Sequence, residues 1–222
     1  MALTFTQLRE EVKYTAKQVG FNLVWIPWLV AVIYMFASWT LLPSGVIVGT
    51  SSFSIAVLIS LFLGAPVVRE KLLGIHEILL SLPLGPVKLV LTRTLAGFVV
   101  GITGIALGSA VGWFIALHVG TPIPIPTMLV GILISVPALF SFTFLIILIT
   151  LLFQSKYLDI AKLIIAFTAL FAPAYIPEYL GIGLSMKTAL VLSFLLSAGA
   201  FAVSYLIIRS LGERLAERMA LV

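Results

Sequence analysis

Apolar residues along the chain fall into six runs parted by short polar breaks, at 21–42, 46–68, 89–118, 127–153, 160–175 and 188–208. A membrane-crossing helix needs ~20 apolar residues, because the hydrocarbon core is ~30 Å thick and each helical residue rises ~1.5 Å. The runs therefore predict six transmembrane helices. The fifth is short, and Ala172-Pro173-Ala174-Tyr175-Ile176-Pro177-Glu178 after it cannot continue as regular helix. The stretch 173–187 is read as a re-entrant or interfacial element between the fifth and sixth helices, with a plain surface loop as the alternative. The first run is too long for a cleaved signal and has no small-residue cleavage pattern before Pro43.

Ahead of the first run the period changes to that of an amphipathic helix. Thr4 and Gln7 fit a capping box, and Leu3 and Leu8 fit the hydrophobic staple around it. Phe5, Leu8, Val12, Ala16 and Val19 form one apolar stripe, with Glu10, Lys13 and Lys17 on the other face. This predicts an N-terminal interfacial amphipathic helix, acting either as an anchor or as part of a docking surface. Pro43-Ser44-Gly45 is too short a turn for any external domain, and the alternating prolines of 119–126 favour extended chain. Within the third run, Gly97, Gly101, Gly104, Gly108 and Gly112 share one helical face, a groove for close helix packing inside the monomer or at a dimer interface. Pro66 and Pro137 predict kinks in the second and fourth runs.

Composition agrees with the pattern. Of 222 residues 62% are hydrophobic and only 9% charged, with a mean hydropathy of +1.25. The chain is thus predicted to be an all-α integral membrane protein, multi-pass, with residues 1–222 forming a single domain. The absence of cysteine removes disulfides, thiolate metal sites and cysteine nucleophiles. A net charge of +5 would suggest nucleic acid in a soluble domain. Here its distribution points to the bilayer as partner and not to nucleic acid. Arg9, Lys13, Lys17, Arg69, Lys71, Lys88, Arg93, Lys156, Lys162, Arg209, Arg214 and Arg218, twelve of the thirteen basic residues, fall on one side, leaving Lys187 opposite. The positive-inside bias makes that side cytoplasmic and places both termini there, which requires an even number of crossings.

Several chemistries are missing. No charged side chain falls near the middle of a predicted span, where one would cost at least ~2.5–3.5 kcal/mol, so ion-gradient coupling is disfavoured. His76-Glu77-Ile78-Leu79-Leu80 begins like a zinc-protease helix, but Leu80 stands where the second histidine is needed. No Gly-Lys pair exists to make a phosphate-binding loop. No catalytic, cofactor-binding or metal-ligating residue is therefore expected. The spans are rich in Leu, Ile, Val, Phe and Ala without a charged cluster, which favours lipidic or amphipathic cargo over an ionic one.

Between the second and third runs lies a charged, patterned segment at 69–86. Glu70, Gly74, Glu77 and Ser81 recur at four, three and four residues as one polar stripe, opposite Leu72, Ile75, Leu79 and Leu82. Pro83, Gly85 and Pro86 then turn the chain into the third span. The stripe is expected to face a groove on a soluble partner, or else to cover the inner face of the bundle.

This spacing, with Glu70, Gly74, Glu77, Leu79, Leu80 and Pro83 in order, resembles the pattern of type-2 permeases of ABC exporters, and the resemblance extends over nearly the whole chain. It implies a cytoplasmic coupling helix between the second and third spans, formed by Glu70, Gly74, Glu77, Ser81 and Pro83. That helix would dock on a separate ABC-type ATP-binding subunit. It also implies a second permease copy, as homodimer or heterodimer, with ATP and magnesium on the partner subunit and no enzymatic activity in this chain. The chain is slightly short for that family, and its minimal outer loops count against large polymer cargo. The expectation is a permease subunit in the cell membrane. The alternative is a non-transporting membrane scaffold or assembly factor.

Overall fold

The computed structural model describes residues 5–19, 27–32, 44–73, 85–120, 123–153, 160–165, 167–168, 176, 179, 181, 185–212 and 214–215. Among them there is only helix and connecting turn, in six main elements: α1 (Phe5–Val19), α2 (Ser44–Leu63), α3 (Ala65–Leu72), α4 (Pro86–His118), α5 (Ile125–Leu152) and α6 (Met186–Leu211). Four stretches are long and apolar enough to cross a membrane: Val46–Glu70, Pro86–His118, Ile125–Leu152 and Met186–Leu211. They coincide with the second, third, fourth and sixth predicted spans. The first and fifth spans and 173–187 lie largely outside the described residues; 27–32 and 160–165 are helical.

Local chemistry sets the boundaries. The described part of α1 begins at Phe5, and Thr4, the expected capping residue, lies outside the described residues. α2 and α3 are one span bent at Gly64, with Pro66 in the first turn of α3. Proline has no N–H for the carbonyl four residues back, while Gly64 N still reaches Ser60 O at 3.2 Å and Val68 N reaches Gly64 O at 3.3 Å. Pro137, by contrast, sits inside an uninterrupted α5. Helix α5 also starts earlier than its prolines suggested, at Ile125 with Pro124 as N-cap and Pro126 in the first turn. The extended expectation for 119–126 is corrected there, because the first turn of a helix has no internal use for the N–H that proline lacks. Likewise Gly85 caps α4 and Pro86 opens it.

Contacts between helices fix their directions. Ser135 Oγ donates to Ser52 O at 3.2 Å, Ser60 Oγ to Leu139 O at 3.3 Å, and Thr143 Oγ1 to Ser60 Oγ at 3.1 Å, so α2 and α5 run parallel. Ser193 Oγ donates to Ile134 O at 3.4 Å, and Phe201 lies 5.8 Å from Phe144, so α6 is parallel to α5. Helix α4 runs the other way and packs by its glycine face: a Cβ at Gly97 would meet Thr143 Cγ2 at 3.2 Å, and one at Gly101 would meet Leu139 Cδ2 at 2.8 Å. Gly104 and Gly112 lie on the same buried face. At Gly108 the neighbour is 27–32, with Pro27 O at 2.7 Å from such a Cβ. Gly97, Gly101 and Gly108 thus make close contacts within the chain.

Val67, Leu89, Val90, Leu148, Leu151 and Leu215 cluster at one end of the bundle, which gathers the end of α3, the start of α4, the end of α5 and the residues after α6. Helix α5 is central and α6 peripheral: 61% of the most apolar window of α5 is buried against 22% for α6. What α6 does bury is small, namely Ala189, Ser193, Ser197, Ala200 and Ser204. That spacing lets its backbone approach α5 closely.

Candidate functional site

The end of the bundle that collects α3 and α4 also carries the described ion-pair cluster, and three helices build it. Arg93 lies seven residues into α4, ~10 Å from its start at ~1.5 Å per residue. It is four residues before Gly97 and so continues the same buried face. Its Nη1 reaches Glu11 Oε2 on α1 at 2.8 Å, and its Nη2 lies 3.0 Å from Glu70 Oε2 on α3. The guanidinium carbon sits 5.1 Å from the ring centroid of Tyr14, one turn along α1 from Glu11. Beside it, Arg69 Nη1 donates to Gln18 Oε1 at 3.3 Å, a second tie between α1 and α3.

Burial sorts the three charges. Side-chain exposure is 8% for Arg93, 2% for Glu70 and 23% for Glu11. The Arg93–Glu11 contact is an aligned hydrogen bond. Neither oxygen of Glu70 has a hydrogen-bond partner among the described residues, so its tie to Arg93 is a charge contact. Two carboxylates share one guanidinium, leaving one negative charge in excess. Burial pushes the Glu11 carboxyl above its ordinary range, against the pull of Arg93 and helped by the Glu70 charge. The Tyr14 phenol is also pushed up, first by burial and then by the Glu70 carboxylate, with Arg93 opposing. Glu10, on the outer face, is held low by its hydrogen bond to Lys13, an exposed pair that water screens.

The sequence placed Glu70 on an outward stripe with Gly74, Glu77 and Ser81. That placement is corrected for Glu70, whose carboxylate turns inward to Arg93. The physical reason is pairing: a guanidinium buried in the helix junction is costly if left unpaired, and Glu70 lies 3.0 Å from it. Gly74, Glu77, Ser81 and Pro83 lie outside the described residues. Arg93, counted in the sequence only among the basic residues gathered on one side, is buried.

Sequence reasoning missed Glu11, Tyr14 and Arg93. The signal for Arg93 was its register with Gly97, Gly101 and Gly104. The signal for Glu11 was its place beside Leu8, Val12 and Thr15, of which Thr15 is fully buried. His118 has no such environment; its Nδ1 lies 2.9 Å from Phe114 O and its side chain is exposed. No cluster of three or more metal-ligating side chains occurs among the described residues.

Chemically the cluster is a joint. One guanidinium ties α1, the end of α3 and the start of α4 together, on either side of residues 74–84 in the sequence. No protein-family model, no curated protein and no solved structure matches this chain.

Proposed function

We propose that this chain is the membrane-spanning permease subunit of an ATP-driven ABC transporter of the exporter type, resident in the cell membrane. The observation that carries the reading is the joint itself. A partner pressing on 74–83 would move Glu70 and Arg93 together, and through Arg93 also α1, so that force applied at one loop reaches three helices. The motif Glu70, Gly74, Glu77, Leu79, Leu80, Pro83 supports the same reading. Its outward part is narrowed to Gly74, Glu77, Ser81 and Pro83, with Glu70 as the internal anchor.

Topology supports six crossings with both termini on the cytoplasmic side. Helix α1 is held by Arg93 at the end of the bundle where α4 begins, whereas α2 starts at the opposite end. On this reading the 24 residues of 20–43 supply the first crossing. Helices α5 and α6 are parallel, and on this reading the 33 residues of 153–185 supply the return crossing between them. Each connection exceeds the ~20 residues a crossing needs. Added to the four long spans, these make six, and the basic residues Arg69, Lys88, Arg93, Arg209 and Arg214 collect at one end.

ATP and magnesium belong to the partner subunit in this reading, and a second permease copy completes the pathway. Purification of the solubilised full chain from its native membrane tests it. A nucleotide-binding protein should accompany the chain in stoichiometric amount. Recovery with other membrane proteins but no nucleotide-binding subunit would favour a scaffold or assembly factor instead.

A further inference from the structure

Two carboxylates on one guanidinium leave a charge that nothing else among the described residues of the joint neutralises. The ionisable groups facing Glu11 are Arg93 on α4, Glu70 on α3 and Tyr14 on its own helix; Arg69 of α3 is turned to Gln18. Arg93 divides its two terminal nitrogens between the carboxylates, and Glu70, 2% exposed, meets its share as a charge contact at 3.0 Å. Like charges sharing one partly buried counter-ion favour the arrangement in which one of them is protonated.

We propose that Glu11, set beside Glu70 on a shared guanidinium, is a proton-binding site, and that docking of α1 onto the α3–α4 junction is linked to uptake of one proton from solvent. The proton enters on the Glu11 side, the member open to water at 23% exposure. It converts the cluster from one excess negative charge to neutrality, with no other bond made or broken. This is independent of the permease reading, since it concerns only contacts within the chain.

The sign follows from linkage. A Glu11 carboxyl raised above its ordinary value of 4.5 when docked holds a proton that the undocked helix has already lost. Docking is therefore fully supported below that ordinary value and weakens as pH rises through the raised one, by up to ~10-fold per pH unit inside the window. The deeply buried Glu70 stays opposite Arg93 throughout, so α1 is the part that loosens.

The natural absence of cysteine makes the test direct. Lys13→Cys and Leu73→Cys, both at exposed positions on α1 and at the end of α3, carry spin labels on the full chain in lipid nanodiscs. The distance between them is measured from about pH 4 to about pH 8.5. In the otherwise native chain the distribution should be narrow in acid, then broaden and lengthen reversibly along a one-proton curve. Glu11→Gln, isosteric and neutral, should stay narrow at every pH, and Glu70→Gln should do the same. Should Glu70→Gln not fold, Glu11→Gln decides alone. A distribution unchanged by pH in the native background would overturn the proposal. So would the same broadening in Glu11→Gln, or a Glu11→Gln chain that is broad at every pH, which would mean that charge and not the proton holds α1.

Discussion

At the scale of single residues, Arg93 decides the most. Removing one partner of a buried pair costs far more than the pair itself contributes, about 3–5 kcal/mol, because the remaining charge stays desolvated and alone. Arg93→Met would strand both Glu11 and Glu70. It is expected to lower the thermal midpoint of the solubilised chain sharply, and a midpoint equal to that of the parent would contradict the joint. Arg93→Lys keeps the charge but replaces a two-nitrogen fork, with contacts of 2.8 and 3.0 Å, by a single ammonium. Its midpoint should fall between the two. The position was half legible in the sequence. Its four-residue spacing to Gly97 was visible, but a basic residue near a span end reads as a snorkelling flank until a carboxylate from 82 positions away is seen to meet it. Glu70 was misplaced for the same reason: a helical wheel gives a face, and only the neighbouring helices say whether that face is wet.

At the scale of elements, apolar run length placed four spans to within a few residues, because crossing a bilayer is a length constraint that composition alone reveals. Prolines were less legible: Pro126 and Pro86 begin helices, Pro66 follows a bend, and Pro137 lies inside a continuous helix. The glycine face of α4 shows which neighbours can yield. At Gly101 the nearest atoms are the flexible tips of Leu139 and Leu63, whereas at Gly108 they are the Val30 Cβ and the backbone of Pro27, and at Gly199 there is open space. Overpacking costs about 1–3 kcal/mol, while replacing an unconstrained helical glycine by alanine gains up to ~1 kcal/mol. The predicted order of stability is Gly199→Ala above the parent, Gly101→Ala below it and Gly108→Ala lowest. Chemical-unfolding midpoints would check it, and a harmless Gly108→Ala would show that 27–32 does not press on α4. The Ser and Thr bonds among α2, α5 and α6 rank below this packing, since such bonds average ~0.6 kcal/mol in a membrane.

At the scale of the whole molecule, two parallel spans, α2 and α6, and one antiparallel span, α4, pack on a central α5 among the described residues, and the charged joint closes one end of the bundle. Helix direction was not legible from apolar runs; it came from charge asymmetry in the sequence and from paired side chains in the structure. The peripheral α6 exposes Val191, Leu195, Val203 and Leu206, an apolar surface suited to lipid. The account's central claim is that energy enters through 74–83, the segment whose two ends the joint fixes. ATP hydrolysis by the co-purified complex, compared between the native chain and Glu77→Arg, tests it most directly. The account predicts that Glu77→Arg folds and assembles normally in the membrane but loses stimulation of the partner's ATPase by at least about tenfold, the effect of ~1.4 kcal/mol on the activated state. Equal stimulation by the two chains would contradict it.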